Sequence, residues 1–197
     1  MTVPRPSRLS LLPRLPRFPD PAATGTVTIR ATPDEAYRVI SDPPVMTRLA
    51  EEAHRARWLG GATAPAVGAR FRGHNRNGPR RWVTNCRITD ADPGRCFAYE
   101  VTAPLRIPIS RWQYDIAPAA EGCTVTETNW LRVPLWFIPF AILITGVSDR
   151  IGTNNAHIGT TLGRLKRHLE SPLPDAAADV AVDVAADGPE CGDRRAG

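Results

Sequence analysis

Between residues 68 and 133 the chain repeats one pattern: short stretches that alternate apolar and polar side chains, each closed by turn formers. The stretches are "GARFRGHN", "RWVTNCRITDA", "RCFAYEVTAP", "ISRWQYDIAP" and "GCTVTETNWLRV", with a shorter "ARWLGG" before them. Alternation with a period of two and tight connections predicts consecutive antiparallel strands. One connection is specific. Asp92-Pro93-Gly94-Arg95 has proline second and glycine third, the chemistry of a type II turn. That turn sets the register of its strands. Ile88 then faces Tyr99 and Cys86 faces Val101 on one side, while Arg87 faces Glu100 on the other as a cross-strand charge pair.

Extending this register sorts the neighbouring strands. Trp82, Thr84, Gly73 and Phe71 join the side of Cys86 and Ile88, with Gly73 near Trp82. Arg70, Arg72, His74, Arg81 and Arg87 fall on the other side. Residues 70–82 hold five arginines and a histidine. Without an aromatic–basic stacking platform they read as the solvated outer face of a curved sheet, not as a nucleic-acid site. The inner face continues through Phe97, Tyr99 and Val101, then Trp112, Tyr114 and Ile116. In the last strand one register brings Val125, Glu127 and Asn129 inside. A one-residue slip brings Thr126, Thr128 and Trp130 instead.

Before these strands, "TVTIRA" (26–31) predicts a first strand and "TPDEAYRVISD" a helix, with Thr32 as cap, Pro33 opening and Glu35 reinforcing. Pro43 and Pro44 end that helix, and "VMTRLAEEAH" suggests a second short one. After them, "VPLWFIPFAILITGV" (133–147) is fifteen consecutive, mostly apolar residues with Pro134 and Pro139 among them. A membrane helix needs about 20 such residues, so a buried or lid-like crossover is the expectation, with membrane contact as the alternative. Residues 146–170 predict a long amphipathic helix whose stripe is Val147, Ile151, Ile158, Leu162, Leu165 and Leu169, interrupted by Asn154 and Asn155.

The organisation expected is a Pro/Arg-rich disordered arm at 1–25, one folded domain at 26–170, and a disordered acidic Ala/Asp-rich tail at 171–197. Net charge is +5, carried by arginine with Lys166 the one lysine. A moderately basic body with an acidic tail points only weakly to nucleic acid. Cys86, Cys96, Cys123 and Cys191 include no Cys-x-x-Cys pair and follow no secretory signal, so a reduced, cytoplasmic protein is expected. The inward Cys86 and outward Cys96 cannot bridge in this register.

One strand, two short helices, six strands and a terminal long helix make an α+β chain: a seven-stranded curved antiparallel sheet wrapped around a C-terminal helix. The stretches "VTIRATPDEAYRVISDP", "VGARFRGHNRNGPRRW", "GCTVTET" and "TTLGRLKRHLE", taken in order, resemble the SRPBCC superfamily, with its START-like helix-grip fold. Within it the sequence is most similar to the bacterial polyketide cyclase/dehydrase and lipid-transport-like group, over about residues 26–170. The resemblance implies an apolar pocket between sheet and helix that holds a lipid, a polyketide or another hydrophobic small molecule. It implies no fixed catalytic set.

No phosphate loop, His-Glu-x-x-His, Gly-x-Ser-x-Gly or metal-spaced Cys/His cluster occurs, so neither a metal nor a nucleotide cofactor is expected. The pocket expected from the inner face comprises Phe71, Trp82, Thr84, Tyr99, Val101, Trp112, Tyr114, Glu127 and Asn129, joined by Asn154 and Ile158 from the helix. Glu127 opposed by Tyr114 is the one constellation with chemistry. A carboxyl in an aromatic cavity has a raised pKa and can act as acid or base, as cyclisation or dehydration of a poly-β-ketone requires. The competing reading gives Glu127 a structural hydrogen bond or a place in solvent. His157 flanks the helix stripe within reach of the pocket, with a surface or boundary place as the preferred reading.

Overall fold

Arg95 N–H donates to Asp92 O at 3.0 Å and Gly94 has φ +68°, so the predicted turn forms, with glycine where a left-handed residue is required. It joins strands β4 (Arg80–Asp92) and β5 (Cys96–Thr102), in which Ile88 opposes Tyr99, Cys86 opposes Val101 and Arg87 opposes Glu100. Next to the turn the pairing runs one residue out of the expected step, with Asp92 opposite Cys96, and an irregularity between Ile88 and Asp90 takes the extra residue back. The two offsets cancel, so the distant register is as the sequence predicts. The expected ion pair across it is not the one formed, because the Glu100 carboxylate pairs with Arg132.

The computed structural model describes residues 20–171; most of the expected N-terminal arm and acidic tail, with Cys191, lies outside them. β1 (Ala23–Ile29) is followed by α1 (Pro33–Ile40), α2 (Pro43–Met46), β2 (Ala53–Leu59) and β3 (Arg70–Asn77). After β4 and β5 come β6 (Pro108–Ala119), β7 (Gly122–Leu131), α3 (Ile138–Thr145) and α4 (Arg150–Glu170). All neighbours in the seven-stranded sheet are antiparallel, in the order β1-β7-β6-β5-β4-β3-β2. This is the helix-grip architecture: a curved sheet around a long C-terminal helix, with short helices between the first two strands.

α1 begins with the expected capping box: Glu35 N–H donates to Thr32 Oγ1 at 3.3 Å and Thr32 N–H to Glu35 Oε2 at 2.8 Å. Three boundaries differ from expectation. β1 starts at Ala23, so Ala23–Gly25 are sheet residues. The second helix spans only Pro43–Met46, since Pro43 and Pro44 open a helix as readily as they end one, and β2 already begins at Ala53. α4 starts at Arg150 with Asp149 as its cap, accepting from Gly152 N–H at 2.8 Å, which leaves Val147 outside the helix.

The core lies where the C-terminal half of α4 crosses β1 and β7. Ile158, Leu162 and Leu165 are buried there with Ile29, Ile116, Val125 and Phe97, and Tyr37 of α1 meets Phe97 edge to face. Gly25 makes this approach possible. A Cβ at that position would lie 2.6 Å from Ile158 Cγ2 and 3.3 Å from Leu162 Cδ1, closer than packed atoms tolerate.

Candidate functional site

Because α4 seats on the β1–β7 edge, it leaves much of the concave face of β3, β4, β5 and β6 uncovered, with α1 packed on one end of β5 and β6 and α3 against β4. The result is a cavity of about 890 Å³, within the range of small-molecule sites. Sheet residues on its wall include Phe71, Trp82, Thr84 and Tyr99, with Val101, Trp112, Tyr114 and Glu127 beyond them. Asn154 and Ile158 face them from α4. Of the residues singled out from the sequence, Asn129 is the exception. It is fully buried behind the wall, where Asn154 Nδ2 donates to its Oδ1 at 2.8 Å and its own Nδ2 donates to Arg111 O at 3.2 Å. Asn129 thus ties the helix to the sheet.

The β6–β7 register sets Tyr114 opposite Glu127 and buries Val125, Glu127 and Asn129, the first of the two registers open to the sequence. The Tyr114 hydroxyl donates to Glu127 Oε1 at 2.8 Å. Glu127 Oε2 is buried with no hydrogen-bond partner among the described residues. Burial pushes the Glu127 carboxyl up to about 8, against the downward pull of the Tyr114 hydrogen bond. Both protonation states are therefore accessible near neutrality. Tyr99 and Tyr114 are driven well above the ordinary tyrosine value, first by burial and then by neighbours that include Glu127, so both stay protonated donors. Burial raises the Cys86 thiol to about 12, which makes this wall cysteine a small apolar group and not a nucleophile.

Sequence reasoning reached the sheet side of the wall and largely missed the rest. Met46 and Thr47 follow from α2, Ala53 and Ala56 from β2, and Phe137, Ile138, Ala141 and Ile142 from the segment after β7. Only the apolarity of residues 133–147 signalled the last group. His157 also borders the cavity, where the sequence suggested a boundary position. Gly73 opposes Thr84, and Trp82 opposes Asn75, so the expected Gly73–Trp82 proximity is not a direct pair.

Cys86, Cys96 and Cys123 are free thiols. Among the described residues no group of three His, Cys, Asp or Glu side chains could hold a metal. Arg70, Arg72, Arg81 and Arg87 alternate with the cavity residues of β3 and β4 and lie on the opposite face. Arg55 and Arg57 of β2 extend this set, through pairing with His74 and Arg72. Burial and these flanking cations lower the His74 pKa.

Comparison with known proteins agrees with this geometry. The family model described as polyketide cyclase/dehydrase and lipid transport matches residues 21–170. No curated protein matches the chain in sequence. Among solved structures, the Polyketide_cyc-like protein Cgl2372 of Corynebacterium glutamicum is 26% identical, with a TM-score of 0.51 over 78% of this chain and 94% of that one. Protein MLL2253 of Mesorhizobium loti is 15% identical, with a TM-score of 0.55 over 77% and 98% of the two chains. The di-domain ARO/CYC StfQ of the steffimycin biosynthetic pathway is 12% identical, with a TM-score of 0.57 over 75% of this chain and 49% of its own.

Proposed function

We propose that this chain, which belongs to the polyketide cyclase/dehydrase and lipid transport family, binds a largely apolar small molecule, lipid or polyketide-like, that carries at least one oxygen. The observation that supports it most is the pairing of an aromatic, apolar wall with one deeply buried carboxyl whose Oε2 has no hydrogen-bond partner among the described residues. A buried polar atom left unsatisfied costs about 1–3 kcal/mol. A ligand carbonyl or hydroxyl placed against Glu127 recovers that cost, and the apolar remainder fills the cavity. No metal or nucleotide is needed for such binding.

A second reading is favoured by one feature, the Glu127 pKa of about 8. A carboxyl that exchanges its proton near neutrality can serve a cyclase or dehydrase. In a dehydration the Glu127 carboxylate, held by the Tyr114 hydroxyl, takes the proton from the carbon beside a ketone, and Tyr99 donates a hydrogen bond to the ketone oxygen. Glu127 then returns the proton to the departing β-hydroxyl, which leaves as water.

The test is an apolar fluorescent probe titrated into the protein, with quenching of tryptophan emission as the signal. Trp112→Ala should weaken uptake by about 1–3 kcal/mol. Probe that does not bind wild type, or binds Trp112→Ala as well, counts against the cavity as the ligand site. Glu127→Gln separates the two readings. A carrier keeps its affinity for neutral apolar probes, whereas an enzyme keeps binding and loses about 100-fold or more in turnover of a poly-β-ketone.

A further inference from the structure

We infer that the mouth of the cavity is a docking surface for an anionic lipid bilayer, formed by α3, the turn before it and the β5–β6 connection. α3 reads Ile-Pro-Phe-Ala-Ile-Leu-Ile-Thr, apolar on every side, yet none of its residues is buried. A helix apolar all round belongs in a protein core or in lipid. Its inner side is accounted for, because Ile138, Ala141 and Ile142 border the cavity. Its outer side and the turn before it are not. Leu135 is 84% exposed, Trp136 64% and Leu143 71%, and none of them borders the cavity.

Another element of the mouth repeats the pattern. Leu105 borders the cavity and is 93% exposed, with a φ of +61° that leucine rarely adopts. Arg106 follows at +60°. Strained backbone that holds an apolar tip in water gains nothing there, and such strain concentrates at ligand contacts and switch regions. At eight residues α3 is about 12 Å long, against a hydrocarbon core of about 30 Å, so it lies in the interface and does not cross. Among the described residues no single helix is long and apolar enough to span. Trp136 has the amphipathic ring that favours the headgroup level.

The charges around this cap select the lipid. Residues 76–82, 101–108 and 131–148 contain Arg76, Arg80, Arg81, Arg106 and Arg132 and no acid; Arg132 is paired with Glu100, which leaves the other four arginines to form the collar. Arg80 Nε donates to Leu143 O at 3.1 Å and Asn77 Nδ2 to Thr145 O at 3.0 Å, which fastens the β3–β4 hairpin tip to α3. The acids that border this end of the cavity are engaged, Glu51 with Arg164, Glu52 with Arg150, and Asp149 in capping α4. Apolar tips inside a basic collar match an anionic membrane surface. A second copy of the chain would bring the collar against itself, and a nucleic acid would leave the apolar tips in water. Docked in this way, the mouth would open toward lipid and cargo would pass without crossing water. That loading role rests on the carrier reading; the docking does not.

The test is flotation of the full chain with vesicles of phosphatidylcholine alone or mixed equally with phosphatidylglycerol. The chain should float with the mixed vesicles and far less with the neutral ones. A Leu135→Ser/Trp136→Ser/Leu143→Ser variant should lose about tenfold or more in partitioning. Arg81→Gln/Arg106→Gln should lose about tenfold toward the anionic vesicles. None of these five residues borders the cavity, so both variants should take up the fluorescent probe as wild type does. Failure of wild type to float with the mixed vesicles overturns the inference. So does equal flotation of the triple variant, or self-association of wild type that the triple variant abolishes without any flotation. Flotation without probe uptake would count against the carrier reading and leave the docking surface standing.

Discussion

The C-terminal half of α4 and its N-terminal half face the same sheet and meet it differently. Toward the C-terminus Leu162 and Leu165 are buried, and the polar rim is tied down. Lys166 Nζ donates to Thr28 O at 2.8 Å, Arg30 N–H to Glu170 Oε1 at 2.8 Å, and Arg164 pairs with Glu51. Toward the N-terminus Arg150 is tied to Glu52 at 2.9 Å, but Ile151 is 51% exposed and Asn154 hydrogen-bonds Asn129, with the cavity beyond. One end of the helix closes the fold, and the other leaves it open. The contrast teaches that stability and ligand space are divided along one element: burial is spent where α4 touches β1 and β7, and withheld where a guest must enter.

Disrupting the closed end should have the largest effect. Leu165→Ala removes a fully buried side chain and should cost about 2–5 kcal/mol, read as a lower midpoint in urea with unchanged slope. A loss below about 1 kcal/mol would mean that this end is not the stabilising one.

The buried carboxyl at the junction should come next, and its sign depends on pH. The folded pKa of Glu127, about 8, lies above the ordinary 4.5, so the folded state holds a proton that the unfolded state releases. Stability is then full below about 4.5, declines as pH rises to about 8, and is flat above. The total loss is up to roughly 5 kcal/mol at about 1.4 kcal/mol per unit. Glu127→Gln should abolish the decline and be the more stable protein at alkaline pH. Parallel pH profiles for the two proteins would show that the carboxyl is ionised in the fold.

Asn154→Ala should cost about 1–3 kcal/mol, because it strands the buried Asn129 Oδ1. Hydrogen exchange should then quicken in the first turns of α4 and leave the turns around Leu165 as protected as before. Uniform loss of protection would erase the proposed division of the helix. Smallest of all, Leu143→Ala at the mouth should change thermal stability by no more than about 0.5 kcal/mol. A larger change would mean that α3 contributes to the core.

Much of this was legible because strand period and turn chemistry are local. Alternation through "RWVTNCRITDA" and "RCFAYEVTAP" placed Trp82, Thr84, Tyr99 and Val101 on one face, and the next turn left the Tyr114–Glu127 opposition as one of two registers, the one the structure adopts. The cancelling offsets near Asp92 were not legible, since a bulge depends on what packs against it. Nor was the role of Asn129, whose inward direction could be read but whose partner, Asn154, is 25 residues away. The helix stripe misled at Ile151 for the same reason: periodicity says which face is apolar, not whether anything covers it.

By itself, then, the sequence determined the element order, the strand faces and the candidate acid, because these depend on neighbours a few residues apart. Tertiary structure alone decided that Gly25 lets α4 settle on one edge of the sheet, that a cavity remains beside it, and that α3 stands uncovered at the mouth. The physical reason is that burial is a property of pairs of elements. An apolar residue carries the same pattern whether it meets a partner, a ligand or water.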